Sequence, residues 1–149
     1  MTRAMMKSVS VWSIGAAAIG CALVAGCAAG MSSGSWKLNA AETIPAAEGS
    51  VSLAEANNGN TRMAVRVRHL AVPDKVSPGA ASYVVWVTPQ QDPKTPMNVG
   101  ALRVDKDLDG QLDTITPLRS FEVTVTAEPD PTATEPTGDV LMSTKVDRN

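Results

Sequence analysis

The 149 residues contain a single histidine, His69. A blue-copper site needs two imidazoles and a thiolate, so it is excluded, and a copper–zinc dismutase site fails on the same count. Structural zinc needs four good ligands, and none are clustered in the sequence. A Ser-His-carboxylate triad needs only one histidine, but no serine stands in a nucleophile context. Gly30-Met31-Ser32-Ser33-Gly34 matches G-x-S-x-G formally. It lacks the preceding strand and following helix that a nucleophile elbow requires, so it is a false match. A basic stripe is missing as well. The net charge is −2, which gives no electrostatic footprint for nucleic acid. Helical periodicity is absent from every window after Ser35.

Charge is absent from Ser8 to Trp36. Arg3 and Lys7 precede this run, and Val9 to Ala25 is apolar and small, the pattern of a secretory leader. The leader ends in Val24-Ala25-Gly26-Cys27, which resembles the bacterial lipobox. The small residues let the signal peptidase approach an extended backbone, and the thiol is the nucleophile that takes a diacylglycerol. The resemblance implies cleavage before Cys27 and acylation of that residue. Cys21 follows small residues too, but lacks the aliphatic residue at the right place and leaves a shorter hydrophobic run. The run also has the length of a bilayer span, about 20 residues, so an uncleaved anchor and a cleaved soluble form are the alternatives. Ala28 in place of the inner-membrane-retaining Asp favours the outer membrane in a cell with two membranes.

The expected organisation is a signal peptide over 1–26, a lipidated cysteine and flexible tether over 27–35, and a β-sandwich domain over 36–149. A small-residue tether of this length spans about 15 Å on average, which keeps the domain near its membrane. Without Arg3 and Lys7, 11 of the 13 basic and all 15 acidic residues remain, a net charge of −4. This composition shows no polybasic patch for an anionic membrane surface. With Cys27 as the only mature cysteine, no intramolecular disulfide forms, and stability rests on a hydrophobic core.

Period-two alternation marks strands. In 61–70, Met63, Val65 and Val67 share one face and Arg62, Arg66 and Arg68 the other. In 120–127, Phe121, Val123, Val125 and Ala127 alternate with Glu122, Thr124 and Thr126. Tyr83 to Val87 is apolar on both faces, as a strand covered on both sides would be. Strands are expected near 36–40, 50–54, 61–70, 83–88, 98–105, 111–116, 120–127 and 140–146. They are separated by turn signals such as "NNGN", "PQQDPKTP" and "DLDG". Eight short strands predict an all-β, immunoglobulin-like sandwich. Trp86 and Phe121 are expected between its sheets, and the arginine face is expected at a solvated surface or edge.

Tyr83-Val84-Val85-Trp86, Phe121-Glu122-Val123-Thr124-Val125-Thr126-Ala127-Glu128-Pro129 and Glu135-Pro136-Thr137-Gly138 before Val140-Leu141 occur in order. In these elements the chain resembles the extracytoplasmic domain of anti-sigma-K factors over residues 83–146. Ala127 interrupts that family's F-x-V-T-x-E-P pattern. The resemblance implies a β-sandwich on the outer side of a membrane. Only seven residues precede the hydrophobic run, so no cytoplasmic sigma-binding part is expected.

Asp105, Asp107, Asp109 and Gly110 match the start of a D-x-D-x-D-G calcium loop, with Asp113 at its ninth position. Thr116 stands where the bidentate glutamate belongs, so an Asp-Gly hairpin turn is the competing reading. His69 is expected at a strand end, continuing the Met63-Val65-Val67 face. The acidic, proline-rich segment 128–139 reads as a crossover or a partner-binding loop. The sequence thus predicts a lipid-anchored, non-enzymatic envelope module, with a binding, sensing or structural role. It needs no cofactor, touches the membrane through Cys27, binds no nucleic acid, and leaves room for an envelope protein partner. The alternative is an envelope enzyme or calcium-binding domain using His69 or the 105–113 loop. Replacing Cys27 by Ala should abolish fatty-acid labelling and precursor processing, and Cys21→Ala should leave both intact. Unchanged processing of the Cys27 variant would refute the lipidation site.

Overall fold

The computed structural model describes residues 34–148. The leader, Cys27 and most of the tether lie outside the described residues. The described chain is all-β: β1 (Gly34–Ala40), β2 (Glu48–Glu55), β3 (Thr61–Arg68), β4 (Ser82–Pro89), β5 (Met97–Ala101), β6 (Arg103–Val104), β7 (Gly110–Thr116), β8 (Ser120–Glu128) and β9 (Val140–Asp147). One four-residue helix, α1 (Pro73–Val76), interrupts the β3–β4 connection. Proline at its first turn supplies the helical φ at no hydrogen-bond cost, within the 72–79 stretch whose prolines and glycine mark a turn. β1 begins at Gly34, inside the stretch expected to be tether.

All pairings are antiparallel, in the order β5-β4-β8-β9-β1-β2-β3-β7-β6. Two segments change partner part-way along. In β1, Gly34–Leu38 pair with β2, whereas Asn39 and Ala40 pair with β9. In 97–104, β5 pairs with β4 and β6 pairs with β7. The single strand expected over 98–105 is therefore two, split at Leu102, whose N–H donates to the Tyr83 carbonyl at 2.8 Å. Because β5 and β6 are one continuous stretch, the nine-stranded sheet nearly closes on itself.

Alternation sends one residue in two to a single core. Leu38, Val51, Leu53, Met63, Val65 and Val67 come from one half of the sheet, and Tyr83, Val85, Val87, Phe121, Val123, Val125 and Val146 from the other. Tyr83 is fully buried, and its hydroxyl donates to the Ala71 carbonyl at 2.7 Å. Trp86 corrects an expectation. It is fully buried but faces away from this core, on the outer face with Val84. Strand parity requires this once Tyr83, Val85 and Val87 point inward.

Leu53→Ala should lower the unfolding free energy by about 2–5 kcal/mol, the cost of a buried leucine cavity. Arg62→Ala on the outer face of β3 should cost less than about 0.5 kcal/mol. Urea unfolding of both variants checks the inside–outside assignment, and equal costs would contradict it.

Candidate functional site

The 105–113 loop is built as a turn. The Asp105 carboxylate accepts the N–H groups of Asp107 and Asp109 at 2.9 and 3.0 Å. Backbone bonds between Asp105 and Asp109 and from Leu108 to Asp105 close the hairpin, and Leu108 takes the left-handed conformation at φ 62°. The Asp107 carboxylate meets the Lys106 ammonium at 2.9 Å. Asp113 lies three residues beyond Gly110, within β7, and forms a bidentate pair with Arg66 at 2.9 and 3.0 Å. The four aspartates are thus given separate tasks. Among the described residues, no three His, Cys, Asp or Glu side chains are grouped to hold a metal ion.

His69 does not continue the inward face of β3. Its backbone is left-handed at φ 56° and its side chain is exposed, and the inward place passes to Leu70. The kink follows from the adjoining turn: the Leu70 N–H donates to the Leu108 carbonyl, and the His69 N–H donates to the Asp109 carboxylate at 3.3 Å. The carboxylate nearest this histidine therefore holds its backbone N–H.

Sequence reasoning missed a different centre. On the outer face of β4 and β8, the Trp86 indole N–H donates to the Thr126 hydroxyl at 2.9 Å, and that hydroxyl donates to the Glu128 carboxylate at 2.6 Å. Glu128 is fully buried. It also accepts the backbone N–H groups of Thr137 and Gly138 at 3.0 and 3.1 Å, and the Thr137 hydroxyl. The crossover 129–139 thereby folds back over the sheet. Its other side is held by Asn98, which lies opposite Trp86 in β5 and donates to the Pro131 and Ala133 carbonyls. Gly138 is obligatory here, because a Cβ would stand 2.2 Å from the Ala127 carbonyl oxygen.

Burial alone would raise the Glu128 pKa. Hydrogen bonds from the Thr126 and Thr137 hydroxyls and from the Gly138 and Thr137 N–H groups outweigh it, and the pKa is lowered from its ordinary 4.5. The carboxylate stays ionised without a cationic partner because four donors replace its water. Among the described residues, no buried side-chain nitrogen or oxygen lacks a hydrogen-bond partner. The segment 129–139 is thus tied to the sheet through Thr137 and Gly138 on Glu128 and through its carbonyls on Asn98, while Thr134, Glu135 and Asp139 stay exposed. A signal was legible in the alternation: Thr124, Thr126 and Glu128 continue the outward face of β8, beside a strand apolar on both sides. Of the residues that carry the family resemblance, Trp86, Glu128, Thr137 and Gly138 meet at this centre. Tyr83 pairs with Ala127 next to Glu128 on the inner face, whereas Phe121 lies at the other end of β8, opposite Pro89 and Val146.

No protein-family model matches the chain, and no curated protein matches it.

A carboxylate whose folded pKa lies below its unfolded value stabilises the fold above the unfolded pKa and loses that contribution as pH falls through the folded one. Asp130 adds a loss of the same sign, its pKa being lowered by hydrogen bonds from the Thr132 hydroxyl and N–H. Stability should therefore decline as pH drops below about 4.5, the unfolded Glu128 value. Glu128→Gln should flatten much of that decline and cost about 2–4 kcal/mol at neutral pH, since its amide faces donors with donors. Thermal unfolding between pH 3 and 7 reads both effects, and an unchanged acid limb in the variant would remove Glu128 as its cause.

Proposed function

We propose that the chain is a lipid-anchored, non-enzymatic module of the bacterial envelope with a binding, sensing or supporting role at the membrane surface. The observation that carries this reading is Val24-Ala25-Gly26-Cys27 at the end of an uncharged run, seven residues before β1. The polar groups available for chemistry support the second half of the reading. The Asp109 carboxylate holds the His69 backbone, Asp105 closes a turn, and the buried Glu128 carboxylate is saturated by donors.

We further propose that the domain is an immunoglobulin-like β-sandwich, related in plan to the extracytoplasmic domain of anti-sigma-K factors that its second half resembles. Supporting this, β1-β2-β3-β7-β6 and β5-β4-β8-β9 contribute facing residues to one core, and β1 and 97–104 turn the corners between them. Strands that switch sheets at bends make the corners where two packed sheets meet orthogonally.

In a cell with two membranes, the mature protein should fractionate with the outer membrane. Recovery in the inner membrane or the soluble fraction would contradict the anchor and its sorting. His69→Ala, and separately the triple variant Asp105→Asn, Asp107→Asn, Asp109→Asn, should restore a deletion strain as fully as the wild type does. A folded variant that fails to do so would favour an enzyme or a calcium-dependent domain instead.

A further inference from the structure

The two outer faces of the sheet are finished differently. The crossover covers β4 and β8, whereas no described segment covers the outer face of β1, β2, β3, β7 and β6. Strand register puts Lys37, Ser50, Arg66, Gln111 and Arg103 in one row across five strands. Neighbouring strands lie about 4.8 Å apart, so the row is about 19 Å wide, with a cation at each end and one in the middle. Arg62 and Arg68 stand on the same face of β3, and Glu48 and Asp113 are the face's acids. The face carries +3 on a domain whose net charge is −4. Composition showed no polybasic patch, but the fold assembles one from five of the domain's 11 cations. Among the described residues, Lys37, Arg62, Arg68 and Arg103 form no ion pair, and only Arg66 is engaged, by Asp113. Short side chains between them, including Ser50, leave an open groove of about 460 Å³ lined by Lys37, Glu48, Gly49, Ser50, Arg66 and Arg68. A separate cleft at the β3–β7 end of the face sets Asp105 and Asp109 beside Arg66 and Arg68.

We propose that this face docks on the anionic headgroups of the membrane to which the chain is tethered; the proposal rests on the lipid-anchor reading. The charges are spread over a flat sheet about 19 Å across, which suits a planar array of phosphates better than one small anion. No aromatic side chain stands on the face, so it offers no stacking platform for bases. β1 itself contributes Lys37, and the seven residues from Cys27 to Gly34 reach at most about 24 Å when extended. Attraction between exposed charges fades beyond about 8–10 Å at physiological salt. A basic face therefore acts on a bilayer only when something holds it close, and a short lipid tether does so by raising its effective concentration. Lipid and basic face together make a two-signal attachment.

Among the described residues, the nine strands and their buried core lie within 34–148, so residues 28–149 carry the whole described fold without leader or lipid. This unlipidated protein should co-sediment with phosphatidylglycerol–phosphatidylcholine vesicles, more weakly as salt rises, and stay in solution with phosphatidylcholine alone. Arg62→Gln and Arg68→Gln should each lower partitioning about fivefold, since a cation near an anionic surface contributes about 1 kcal/mol. Lys94→Gln with Lys145→Gln, away from this face, should change it by less than about twofold, with matched urea midpoints confirming intact folds. Equal binding to both vesicle types, no binding to either, or no loss in the arginine variants would overturn the proposal. Release by inorganic phosphate at matched ionic strength would also overturn it, pointing to a discrete anion pocket. Fatty-acid labelling at Cys27 is read in cells without reference to this face, so failure of the anchor and failure of the docking surface are distinguishable.

Discussion

A β-sheet ends in strands with one row of unpaired backbone groups, and such edges template aggregation. This domain nearly abolishes its edges by having two segments serve two partners each. β1 leaves β2 for β9 after Leu38, and the chain from Met97 to Val104 leaves β4 for β7 at Leu102. Both transitions need room. At the first, Gly49 pairs with Leu38, and a Cβ there would lie 2.8–2.9 Å from Leu38 and Met142 side-chain atoms. At the second, Gly100 adopts φ +131° with its open side 3.1 Å from Leu112 of β7. The core depends on these corners, because only a sheet folded back on itself brings Val51, Val65 and Val67 against Val85, Phe121 and Val123.

Closing the sheet leaves an outside to finish. Val84 and Trp86 are too apolar for water, and β8 presents Thr126 and Glu128 beside them. Bringing the crossover down over this face strips water from a carboxylate, which is costly unless donors replace it. Thr126, Thr137 and Gly138 do so. The same contacts fix the crossover and complete the cover over the indole. Protonation would weaken all of these contacts at once, so this outer-face carboxylate contributes to acid sensitivity alongside Asp130.

The strands were legible because each has one wet face and one dry face, and period two survives any detail of packing. Met63, Val65, Val67, Phe121, Val123 and Val125 are inward as their alternation required. Which side a doubly apolar strand offers to the core is not written in its own pattern. Trp86 was misplaced because parity there depends on its neighbours Tyr83, Val85 and Val87, which face the core. His69 was misplaced because the Asp105–Asp109 turn, 40 residues away in sequence, captures its backbone N–H. Glu128 escaped notice for a related reason: its donors lie nine and ten residues downstream, in a segment without periodicity.

The acids and the cations of this chain part company for a reason rooted in backbone chemistry. Aspartate carboxylates satisfy backbone N–H groups where the chain reverses. Asp74 does so for Gly79, Asp92 for Lys94, Asp105 for Asp107 and Asp109, and Asp130 for Thr132. Acids are therefore drawn into turns and loops, where they are spent on local structure. Strand interiors disfavour aspartate, and the long arginine and lysine side chains there keep their stems against the sheet and their charged ends in water. A chain with a modest negative total thus produces a positive sheet face without any basic run in its sequence. Net charge averages over that segregation. The alternation of Arg62, Arg66 and Arg68, read together with the register that adds Lys37 and Arg103, does not.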